Sequence, residues 1–315
     1  IETIDRSCVL RDKRKDLQRQ ERGGNVSEPV AKRQMFEYDG DNPFHIYNIP
    51  YYPSSSDELL FNHWHEELEI VYTLQGNSLH YIDGTCIRSQ PGRLIVVNSE
   101  SSHNIIPDRS VYGNGRKVVI ALIISREFLE EVFPDFRNMY FLNEKEVTTP
   151  VIRELMVTLS HFGDGTELSR YEKIYRKGLV LQLLYHITQE GVAEKNVILP
   201  LNNQKNIERL KGVLQFIENH YMEKISQAEI AEKFYCSREY FARFFKKHTG
   251  MTFTEYLTKY RLQKARMQLM ASDSGILEIA LNNGFSDDRR LILAFRQEYG
   301  TTPFQYRKME RNKEK

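Results

Sequence analysis

Two helix-turn-helix-like segments lie in tandem in the last third of this chain, and no other feature restricts its fold as strongly. The first segment begins at Ser226, turns over 234–236 and continues into a helix predicted from Ser237. The second begins at Ile276 and continues, after a similar turn, into a helix predicted from Ser286. Two such units can place their second helices in successive major grooves on one face of DNA, roughly 34 Å apart. The tandem pattern therefore predicts an all-α domain that binds double-stranded DNA.

Local signals support both units. Ser226 and Glu229 have the spacing of a capping box, in which each side chain satisfies a free backbone N–H of the first helical turn. Ala231 is small enough for the next helix to cross closely, as a helix-turn-helix requires. Amphipathic helices are predicted at 207–221 and 252–270. The expected inward-facing anchors of the two second helices are Phe241, Phe244, Phe245, Leu291 and Phe295.

The outward faces of the two second helices carry the candidate DNA contacts. We expect Arg243 to pair with guanine, Glu239 to accept a hydrogen bond from cytosine and Ala242 to touch a thymine methyl group. The expected phosphate contacts of the first unit are Ser237, Arg238, Lys246 and Lys247. The outward residues of the second unit are Asp288, Arg289, Arg290 and Leu293. For any one of these residues taken alone, an ordinary solvated helix face is the alternative.

Charge is distributed unevenly along the chain. The formal net charge is only +1, but residues 201–315 carry 21 Lys and Arg against 14 Asp and Glu, which is about +7. The preceding residues therefore carry about −6. This asymmetry favours contact between the C-terminal part and nucleic acid, although basic helical domains of similar charge also occur without binding DNA.

Residues 36–191 have a different pattern, which predicts a separate β-rich domain. Short β-branched or aromatic runs at 68–72, 78–82, 94–97 and 117–123 are separated by glycine-containing turns. Short strands at this spacing are typical of a small antiparallel barrel or jelly roll. Helices are predicted at 125–133, 150–161 and 168–189. The last helix must pack on the barrel or on a second subunit through Ile174, Leu179, Leu181, Leu183, Leu184 and Ile187.

Two remaining segments are polar. Residues 1–35 are expected to be an arm, either a solvated tail or a basic contact to phosphate, and residues 192–205 are expected to be the linker. No apolar run has membrane-spanning length and none resembles a signal peptide. Cys8, Cys86 and Cys236 are too widely spaced for a zinc finger or a disulfide framework. These features favour a cytoplasmic protein without a membrane partner.

Five short motifs within residues 207–308 together resemble the DNA-binding domain of AraC/XylS-type transcription regulators. The resemblance implies seven helices, with two recognition helices that enter adjacent major grooves. It also implies a small-molecule effector, a homodimer formed through helices of 150–190, and RNA polymerase as a partner if the protein is an activator. The matching motifs are Ile230-Ala231, 245–250, 261–265, 279–285 and 300–307.

The second recognition helix departs from the family pattern. Leu293 stands where the family usually has arginine, and a leucine can pack on a thymine methyl group but cannot hydrogen-bond a base edge. Arg289 and Arg290 offer compensating contacts to phosphate or guanine. Asp287 and Asp288 favour the helix dipole but repel phosphate. We therefore expect the first unit to carry more of the sequence specificity.

A histidine-rich run in the β-rich part resembles the first cupin motif. His63, His65, Glu69 and Gly76 have the motif's spacing. Two histidines at positions i and i+2 of one strand point to the same face of a barrel, which is why metal-binding cupins use that spacing. AraC-type regulators commonly resemble cupins in this region and bind an effector there without metal.

The second cupin motif is looser. Gly92 and His103 keep its spacing, but Asn98 and Glu100 replace the usual Pro and Gly. The candidate metal ligands, for a divalent cation, are therefore His63, His65, Glu69 and His103. The alternative is an effector pocket lined by these four residues together with Trp64 and His80. Trp64 would either stack on a sugar ring at the pocket mouth or pack at the edge of a strand.

These patterns together predict an α+β chain of two domains. A cupin-like β-barrel (jelly roll) with flanking helices occupies 36–191, and an all-α tandem helix-turn-helix domain occupies 206–315. The predicted function is sequence-specific regulation of transcription, without enzymatic activity, in response to a small-molecule effector bound in the barrel. Two alternatives stay open: a metal-dependent cupin enzyme fused to a DNA-binding domain, and a constitutive DNA-binding dimer whose barrel serves only dimerisation.

Overall fold

The computed structural model of the chain describes residues 34, 36–38, 42–49, 61–107, 118–144, 148–163, 165–195 and 201–313. Within these residues a β-rich part precedes an all-helical part, as the sequence predicts. The arm predicted over 1–35 lies outside the described residues except for Gln34. None of the described helices combines the length and the apolar character that crossing a lipid bilayer requires.

Seven strands of the β-rich part form two antiparallel sheets. One sheet has the strand order β1-β7-β2-β5 and the other has the order β4-β3-β6. The strands predicted at 68–72, 78–82, 94–97 and 117–123 are confirmed within two residues. The seven strands are β1 Phe44–Ile49, β2 Leu68–Thr73, β3 Ser78–Ile82, β4 Thr85–Ser89, β5 Leu94–Val97, β6 His103–Pro107 and β7 Val119–Ile124.

Strand β2 is buried on both faces of its sheet. Successive side chains of a strand point to opposite sides of the sheet. Leu68, Ile70 and Tyr72 join the core that the sheet shares with the helices of the β-rich part. Val71 instead joins a second core between the two sheets, and Glu69 points to the same interior side. Because both faces are covered, all six residues of β2 are buried.

Three helices and a small sheet complete the β-rich part. They are α1 Arg126–Val132, α2 Pro150–Leu159, α3 Arg170–Glu190, and a pair of short strands, β8 Met139–Phe141 and β9 Val192–Glu194. Side-chain caps begin these helices, with Ser125 before α1, Thr149 before α2 and a capping box at Ser169 before α3.

Helix α3 divides the apolar residues that the sequence assigned to one face. Leu179, Leu183, Leu184 and Ile187 are buried against the sheet. Ile174 and Leu181 are exposed instead, so the barrel does not cover them, and packing on a second subunit stays a prediction for these two residues. The helix is apolar over more than half of its circumference, and the barrel covers only one stripe.

The segment predicted as a linker, 192–205, is more structured than expected. Its first residues form strand β9, which pairs with β8, and its last residues belong to the next helix, which starts at Leu201 rather than at 207. Short strands of three residues carry too little periodicity to be recognised from sequence alone.

Seven helices follow, as the family resemblance implies. They are α4 Leu201–His220, α5 Gln227–Lys233, α6 Arg238–Thr249, α7 Phe253–Ala271, α8 Ile276–Asn282, α9 Asp288–Tyr299 and α10 Pro303–Lys313. Helices α5 and α6 form the first helix-turn-helix, and α8 and α9 form the second. Each unit has its own apolar core, and the predicted anchors of α6 and α9 are all buried there.

Both helix-turn-helix turns place a residue with positive φ two positions after the end of the first helix. Tyr235 in the first turn and Gly284 in the second both have positive φ, at 52° and 77°. Ala231 and Ala280 are the buried small residues that let the second helix of each unit cross the first. Glycine adopts the left-handed conformation without steric cost, whereas tyrosine adopts it rarely.

The second recognition helix begins one residue later than predicted. The cap of α9 is Asp287, whose carboxylate accepts from the Arg290 N–H at 2.8 Å, and not Ser286. Ser286 instead donates to Asp287 at 2.7 Å. The second turn contains one residue more than the first, in which Ser237 caps α6 as expected. An aspartate at the cap also carries negative charge toward the positive end of the helix dipole.

Two family-motif arginines have structural roles. Arg261 donates to the Tyr221 carbonyl at 2.7 Å and to the Glu223 carbonyl at 2.7 Å, beyond the end of α4. Arg307 makes the equivalent bond to the Leu269 carbonyl, at 3.0 Å, near the end of α7. The last carbonyls of a helix have no intrahelical partner, and Arg307 satisfies one of them, while Arg261 bonds the turn that follows α4.

Leu291 and Leu293 offer a matched test of the second helix-turn-helix. We expect Leu291→Ala to lower the free energy of unfolding by about 2–5 kcal/mol, because Leu291 is fully buried and its truncation leaves a cavity. Leu293→Ala, two residues along the same helix, should change it by less than about 0.5 kcal/mol, since Leu293 is 71% exposed. Urea denaturation followed by circular dichroism measures both. Equal losses would contradict the assignment of inward and outward faces.

Candidate DNA-binding face and histidine cluster

Helix α6 presents the outward face that the sequence predicts. Ser237 caps it through a bond from the Tyr240 N–H at 3.2 Å, which leaves the Ser237 hydroxyl proton free to donate elsewhere. Buried phenylalanines hold the opposite side of the helix. The predicted contact residues Arg238, Glu239, Arg243, Lys246 and Lys247 are exposed, and Ala242 is half-buried among them. This face can therefore approach a major groove without any rearrangement of the helix.

Helix α9 presents a chemically different face. Counted from the cap, Leu293 stands at the position of Arg243 in α6, because Ser237 and Asp287 are the respective caps. Arg289 and Arg290 are exposed and Asp288 is half-buried. Arg296, which the sequence analysis did not single out, is exposed at the position that corresponds to Lys246. The two recognition helices thus share geometry but not charge.

In the β-rich part, His63, His65, Glu69 and His103 meet between the two sheets. One ligand atom from each lies within 4.8 Å of the others. Glu69 comes from β2 and His103 comes from β6 of the opposite sheet, while His63 is joined to His103 by an antiparallel bridge. The spacing of the first cupin motif and the single histidine of the second motif are therefore brought together as predicted.

Backbone hydrogen bonds orient all three imidazoles in the same sense. The Nδ1 atoms of His63 and His103 lie 3.0 Å from the carbonyls of Phe61 and Ser101, and that of His65 lies 3.2 Å from the Glu67 carbonyl. A proton on Nδ1 in each ring satisfies these bonds, so Nε2 is the nitrogen of each ring that remains for other contacts. Such outer hydrogen bonds are the usual means of orienting histidine ligands.

The Glu69 carboxylate contacts two of the three histidines of the cluster. Its Oε2 lies 3.3 Å from His65 Nε2 and 3.0 Å from His103 Nε2. Burial alone would raise the pKa of Glu69, but the contacts from His103 and His65 outweigh it and hold that pKa well below its usual value. Burial opposes protonation of His103, yet the Glu69 carboxylate raises its pKa. The pair is therefore an imidazolium–carboxylate contact.

His63 and His80 are kept neutral. Burial, followed by the charge on His103, lowers the pKa of His63 to about 3. Burial also lowers the pKa of His80 to about 4, with Glu69 opposing the shift. His80 Nε2 is hydrogen-bonded to Ser78 Oγ at 3.1 Å. His80 thus faces the same interior but stands outside the four-residue group.

The four residues fit a divalent metal ion. Three imidazole nitrogens and one carboxylate form a ligand set that suits first-row transition metals, and an ion would displace the second proton of His103. His103 Nε2 and Glu69 Oε2 are buried and lie 3.0 Å apart, so two of the four ligand atoms already face each other inside the barrel. Ligand atoms around such an ion lie roughly 3–4 Å apart, so only a small contraction of the cluster would enclose one.

Trp64 does not join the cluster. It lies between His63 and His65, and alternation along the segment turns it to the opposite side. There the Lys211 ammonium from α4 lies 4.0 Å from the centre of its ring, and the indole packs against the core of the first helix-turn-helix. The structure therefore places Trp64 at the junction with the helical part.

The two departures from the second cupin motif have physical reasons. Glu100, where the motif has Gly, keeps a positive φ of 67°. Its carboxylate is paired with Lys195 at 3.0 Å. Asn98, where the motif has Pro, accepts from the Phe141 N–H at 2.7 Å and donates to the Phe141 carbonyl at 3.0 Å. The loop therefore keeps the positive φ that the motif's Gly would adopt, and the side chains of Glu100 and Asn98 bond it to neighbouring elements.

A contact between the barrel and helix α6 was not anticipated from sequence. Asn62 and Asn104 donate to the carbonyls of His248 and Thr249 in the last turn of α6. Beside them, a Cβ atom at Gly84 would lie 2.5 Å from the His248 ring, so only glycine permits this approach. Single asparagines carry no local pattern that could have revealed contacts over such sequence separations.

A small cavity lies next to this junction, between the barrel and α4. Its volume is about 230 Å³. Asp83 in its wall is buried, which raises the pKa of that carboxyl group, and one of its oxygens has no hydrogen-bond partner among the described residues. The lining residues are Asp83, Ser99, Glu100, Ser101, Lys195, Ile207, Glu208 and Lys211. They come from four separate stretches of chain, so no local pattern in the sequence indicates them.

Comparison with known proteins agrees with both parts of the structure. The model of the AraC-like ligand binding domain matches residues 47–184, and the model of a helix-turn-helix domain matches residues 230–309. The chain belongs to the AraC/XylS family of transcription regulators. A helix-turn-helix domain together with a ligand-binding domain confirms the predicted DNA-binding transcription regulator with an N-terminal effector domain at that level.

The matching relatives include two activators of similar length. The HTH-type transcriptional activator RhaS of Salmonella paratyphi A is 27% identical over 252 residues, which cover 76% of this chain and 85% of the relative. The same activator of Escherichia fergusonii is 26% identical over 256 residues, with coverage of 78% and 86%. Among solved structures, the DNA-binding domain of AdpA in complex with a target DNA is 30% identical, covers 33% of this chain and 95% of that chain, and has a TM-score of 0.33.

The buried histidines predict acid sensitivity. His63, His80 and His248 have lowered pKa values, of about 3, 4 and 4, chiefly through burial. Below pH 6.5 these groups bind protons in the unfolded chain but not in the folded chain. The free energy of unfolding should therefore fall as pH decreases from 6.5 to 5, by up to about 1.4 kcal/mol per pH unit for each histidine. Urea denaturation at pH 7, 6 and 5 measures this.

His80→Asn is the matching variant. It should reduce that pH slope by about one proton, whatever its effect on stability at pH 7. The raised pKa of His103 acts in the opposite sense: it stabilises the folded chain as pH falls from 7 through 6.5, and its contribution is nearly constant between pH 6 and 5. A variant with the slope of the wild type would contradict a neutral, buried His80.

Proposed function

We propose that helix α6 performs most of the sequence reading, with Arg243 as the principal base contact. The observation that supports this is the exposed face of α6, on which a guanidinium group projects from a helix anchored by buried phenylalanines. A guanidinium group pairs bidentately with guanine O6 and N7. Glu239 and Ala242 beside it would read a cytosine and a thymine methyl group.

Helix α9 then serves a supporting role. Leu293 replaces the arginine of the family pattern, and its exposed side chain offers only an apolar contact to a thymine methyl group. Asp287 and Asp288 place negative charge at the end of the helix where a phosphate would otherwise be favoured. Arg289, Arg290 and Arg296 compensate with contacts to the backbone. We therefore propose an operator with one well-defined half and one degenerate half.

Selection of bound fragments from a genomic DNA pool, at fixed salt and with sequencing, tests this proposal. A bipartite site with about one helical turn between its halves, and a stronger motif in one half, is the expected result. Binding without sequence preference, governed only by salt concentration, would overturn it.

Arg243→Ala should weaken binding to the selected operator by about 1–3 kcal/mol and relax the preference at one base pair. Arg238→Ala is the matched control, since Arg238 is proposed to contact phosphate. It should weaken binding to all sequences alike and reduce the slope of log affinity against log salt by about one. Fluorescence anisotropy on operator and scrambled duplexes measures both. Uniform weakening by Arg243→Ala would assign Arg243 to phosphate instead.

We propose that the β-rich part, extending from 36 to strand β9, is a sensor and not an enzyme, and that the DNA-binding domain starts at Leu201. A divalent metal ion bound by His63, His65, Glu69 and His103 is the effector that the cluster geometry favours. A small organic effector bound beside His80 is the alternative. The relatives are named transcriptional activators, so we also propose RNA polymerase as a partner and the cytoplasm as the location.

The metal proposal predicts about one equivalent of bound metal per chain. Equilibrium dialysis against Co²⁺, followed by metal analysis, measures it in the full chain. His63→Ala combined with His65→Ala should abolish high-affinity binding, because two of the four ligands are removed. His186→Ala combined with His220→Ala, which removes two histidines outside the cluster, should leave it unchanged. Equal binding by both double variants would reject the site.

We propose that the chain forms a homodimer through helix α3. Its exposed side carries a stripe of large apolar and aromatic residues at helical spacing. Gly178 lies in the middle of this stripe and would let a second helix approach closely. The stripe consists of Tyr171, Ile174, Tyr175, Leu181 and Tyr185.

Ile174→Glu should convert the dimer to a monomer, because a charge in the middle of an apolar interface must be desolvated. Leu277→Glu is the matched control, since Leu277 is a similarly exposed aliphatic residue on α8. Sedimentation equilibrium of the full chain distinguishes the two states. A wild-type chain that is monomeric at tens of micromolar, or an Ile174→Glu chain that remains dimeric, would contradict the proposed interface.

A further inference from the structure

Two segments of the barrel contact both the histidine cluster and the first recognition helix. His63 and His103 form an antiparallel pair in which each N–H donates to the carbonyl of the other, at 3.0 and 2.9 Å. Paired residues of this kind direct their side chains to the same side of the sheet, and their chain neighbours direct theirs to the other side. The two hydrogen-bonded segments around His63 and His103 therefore carry the histidine cluster on one side of the sheet and their neighbouring side chains on the other side.

The neighbours on that opposite surface are Asn62 and Asn104, which are both buried. Asn62 Nδ2 donates to the His248 carbonyl at 3.4 Å, and Asn104 Nδ2 donates to the Thr249 carbonyl at 3.1 Å. These carbonyls belong to the last turn of α6, where no intrahelical N–H follows. The two amides thus cap the recognition helix from outside its own domain.

The barrel and the end of α6 are tightly packed around these two hydrogen bonds. A Cβ atom at Gly250, the residue after α6, would overlap the ring of Tyr81 on β3. Phe61, next to Asn62, inserts into the core of the first helix-turn-helix, with its ring 5.2 Å from that of Tyr256. Small displacements of the two segments are consequently transmitted to α6 and are not absorbed by loose packing.

The junction leaves the proposed DNA-reading face open. Arg238, Arg243 and Lys246 are exposed, whereas His248 and Thr249 are buried under the barrel. The barrel therefore controls where α6 lies and does not cover the residues that would touch bases. A shift in placement changes how well the two recognition helices match two grooves at once.

We propose that a divalent metal ion in the cluster changes the operator affinity of the protein through Asn62 and Asn104, which act as positioning residues for α6. This inference rests on the proposed metal site and on the proposed DNA contacts of α6. Closing His63 and His103 around an ion moves their paired backbone. Asn62 and Asn104 move with it, and the amide–carbonyl bonds to α6 stretch or tighten. The ion thereby has different affinities for two placements of α6, as coupling requires.

The test measures operator affinity of the full chain by fluorescence anisotropy, with the cluster metal-free and with it loaded with Co²⁺. The ratio of the two dissociation constants is the coupling factor. We expect it to be at least about 5-fold in the wild type, at the lower end of common allosteric coupling. Reciprocity requires that operator DNA change the Co²⁺ affinity by the same factor. The visible absorbance of bound Co²⁺ reports this second quantity independently of DNA binding.

Asn62→Ala combined with Asn104→Ala should reduce the coupling factor to less than about 2-fold. The Co²⁺ affinity of the DNA-free chain should stay unchanged, because neither asparagine is a ligand. Asn48→Ala is the matched control: Asn48 donates to the Ser160 carbonyl at 2.8 Å within the β-rich part. It removes a comparable amide–carbonyl bond and should keep the wild-type factor. Asn104→Ala alone, which is milder, should give an intermediate factor.

Several results would overturn the inference. A double variant that keeps the wild-type factor would exclude this route, and a factor of one in a wild-type chain that binds both Co²⁺ and operator would exclude the coupling. In both cases the proposed DNA contacts and metal site would stand. Absence of Co²⁺ binding would reject the metal site and the inference together, while operator binding would remain. Absence of operator-specific binding in every sample would reject the DNA-reading proposal as well.

Discussion

Alternation along a few strands of the barrel is the constraint on which the rest of this structure depends. In β2 it directs Leu68, Ile70 and Tyr72 to the helix-covered core and leaves Glu69 inside the barrel. In the bridged segments it directs His63 and His103 to the same interior, and Asn62 and Asn104 to the last turn of α6. A shift of register by one residue would exchange the two sets of side chains. The cluster and the junction with the DNA-binding domain therefore exist together or not at all.

The two helix-turn-helix units have similar backbones but different side chains on their exposed faces. Both have a left-handed residue in the turn, an inserted small alanine, a capped second helix and a glycine that ends it. These features serve packing and backbone geometry, so they are shared. The exposed faces serve DNA, and there Arg243 corresponds to Leu293. Because packing does not restrain an exposed side chain, the two units can differ in specificity without any difference in stability.

The strands that the sequence did not reveal share one property. β1, β4 and β6 are edge strands, each paired on only one side. An edge strand buries less surface and therefore tolerates polar residues, as the mostly exposed β4 does. The predicted strands β2, β3 and β7 are central, and their apolar runs are correspondingly clear. The fourth predicted strand, β5, is an edge strand whose four residues are all buried, so its apolar run is clear as well. The cap of α9 at Asp287 was missed for a different reason: one extra residue in a turn changes no periodic pattern.

Periodicity, caps and motif spacing in the sequence predicted the two helix-turn-helix units, their anchors, the outward face of α6 and the grouping of His63, His65, Glu69 and His103, whereas the count of seven helices came from the family resemblance. Tertiary packing, in contrast, sets which apolar residues of α3 stay exposed, turns Trp64 away from the cluster, and brings Asn62 and Asn104 to the end of α6. These outcomes depend on contacts between residues far apart in the chain, such as the 145-residue separation of Asn104 and Thr249. Hydrogen bonds between residues so far apart in the chain depend on how sheets and helices pack, and a local sequence pattern cannot predict them.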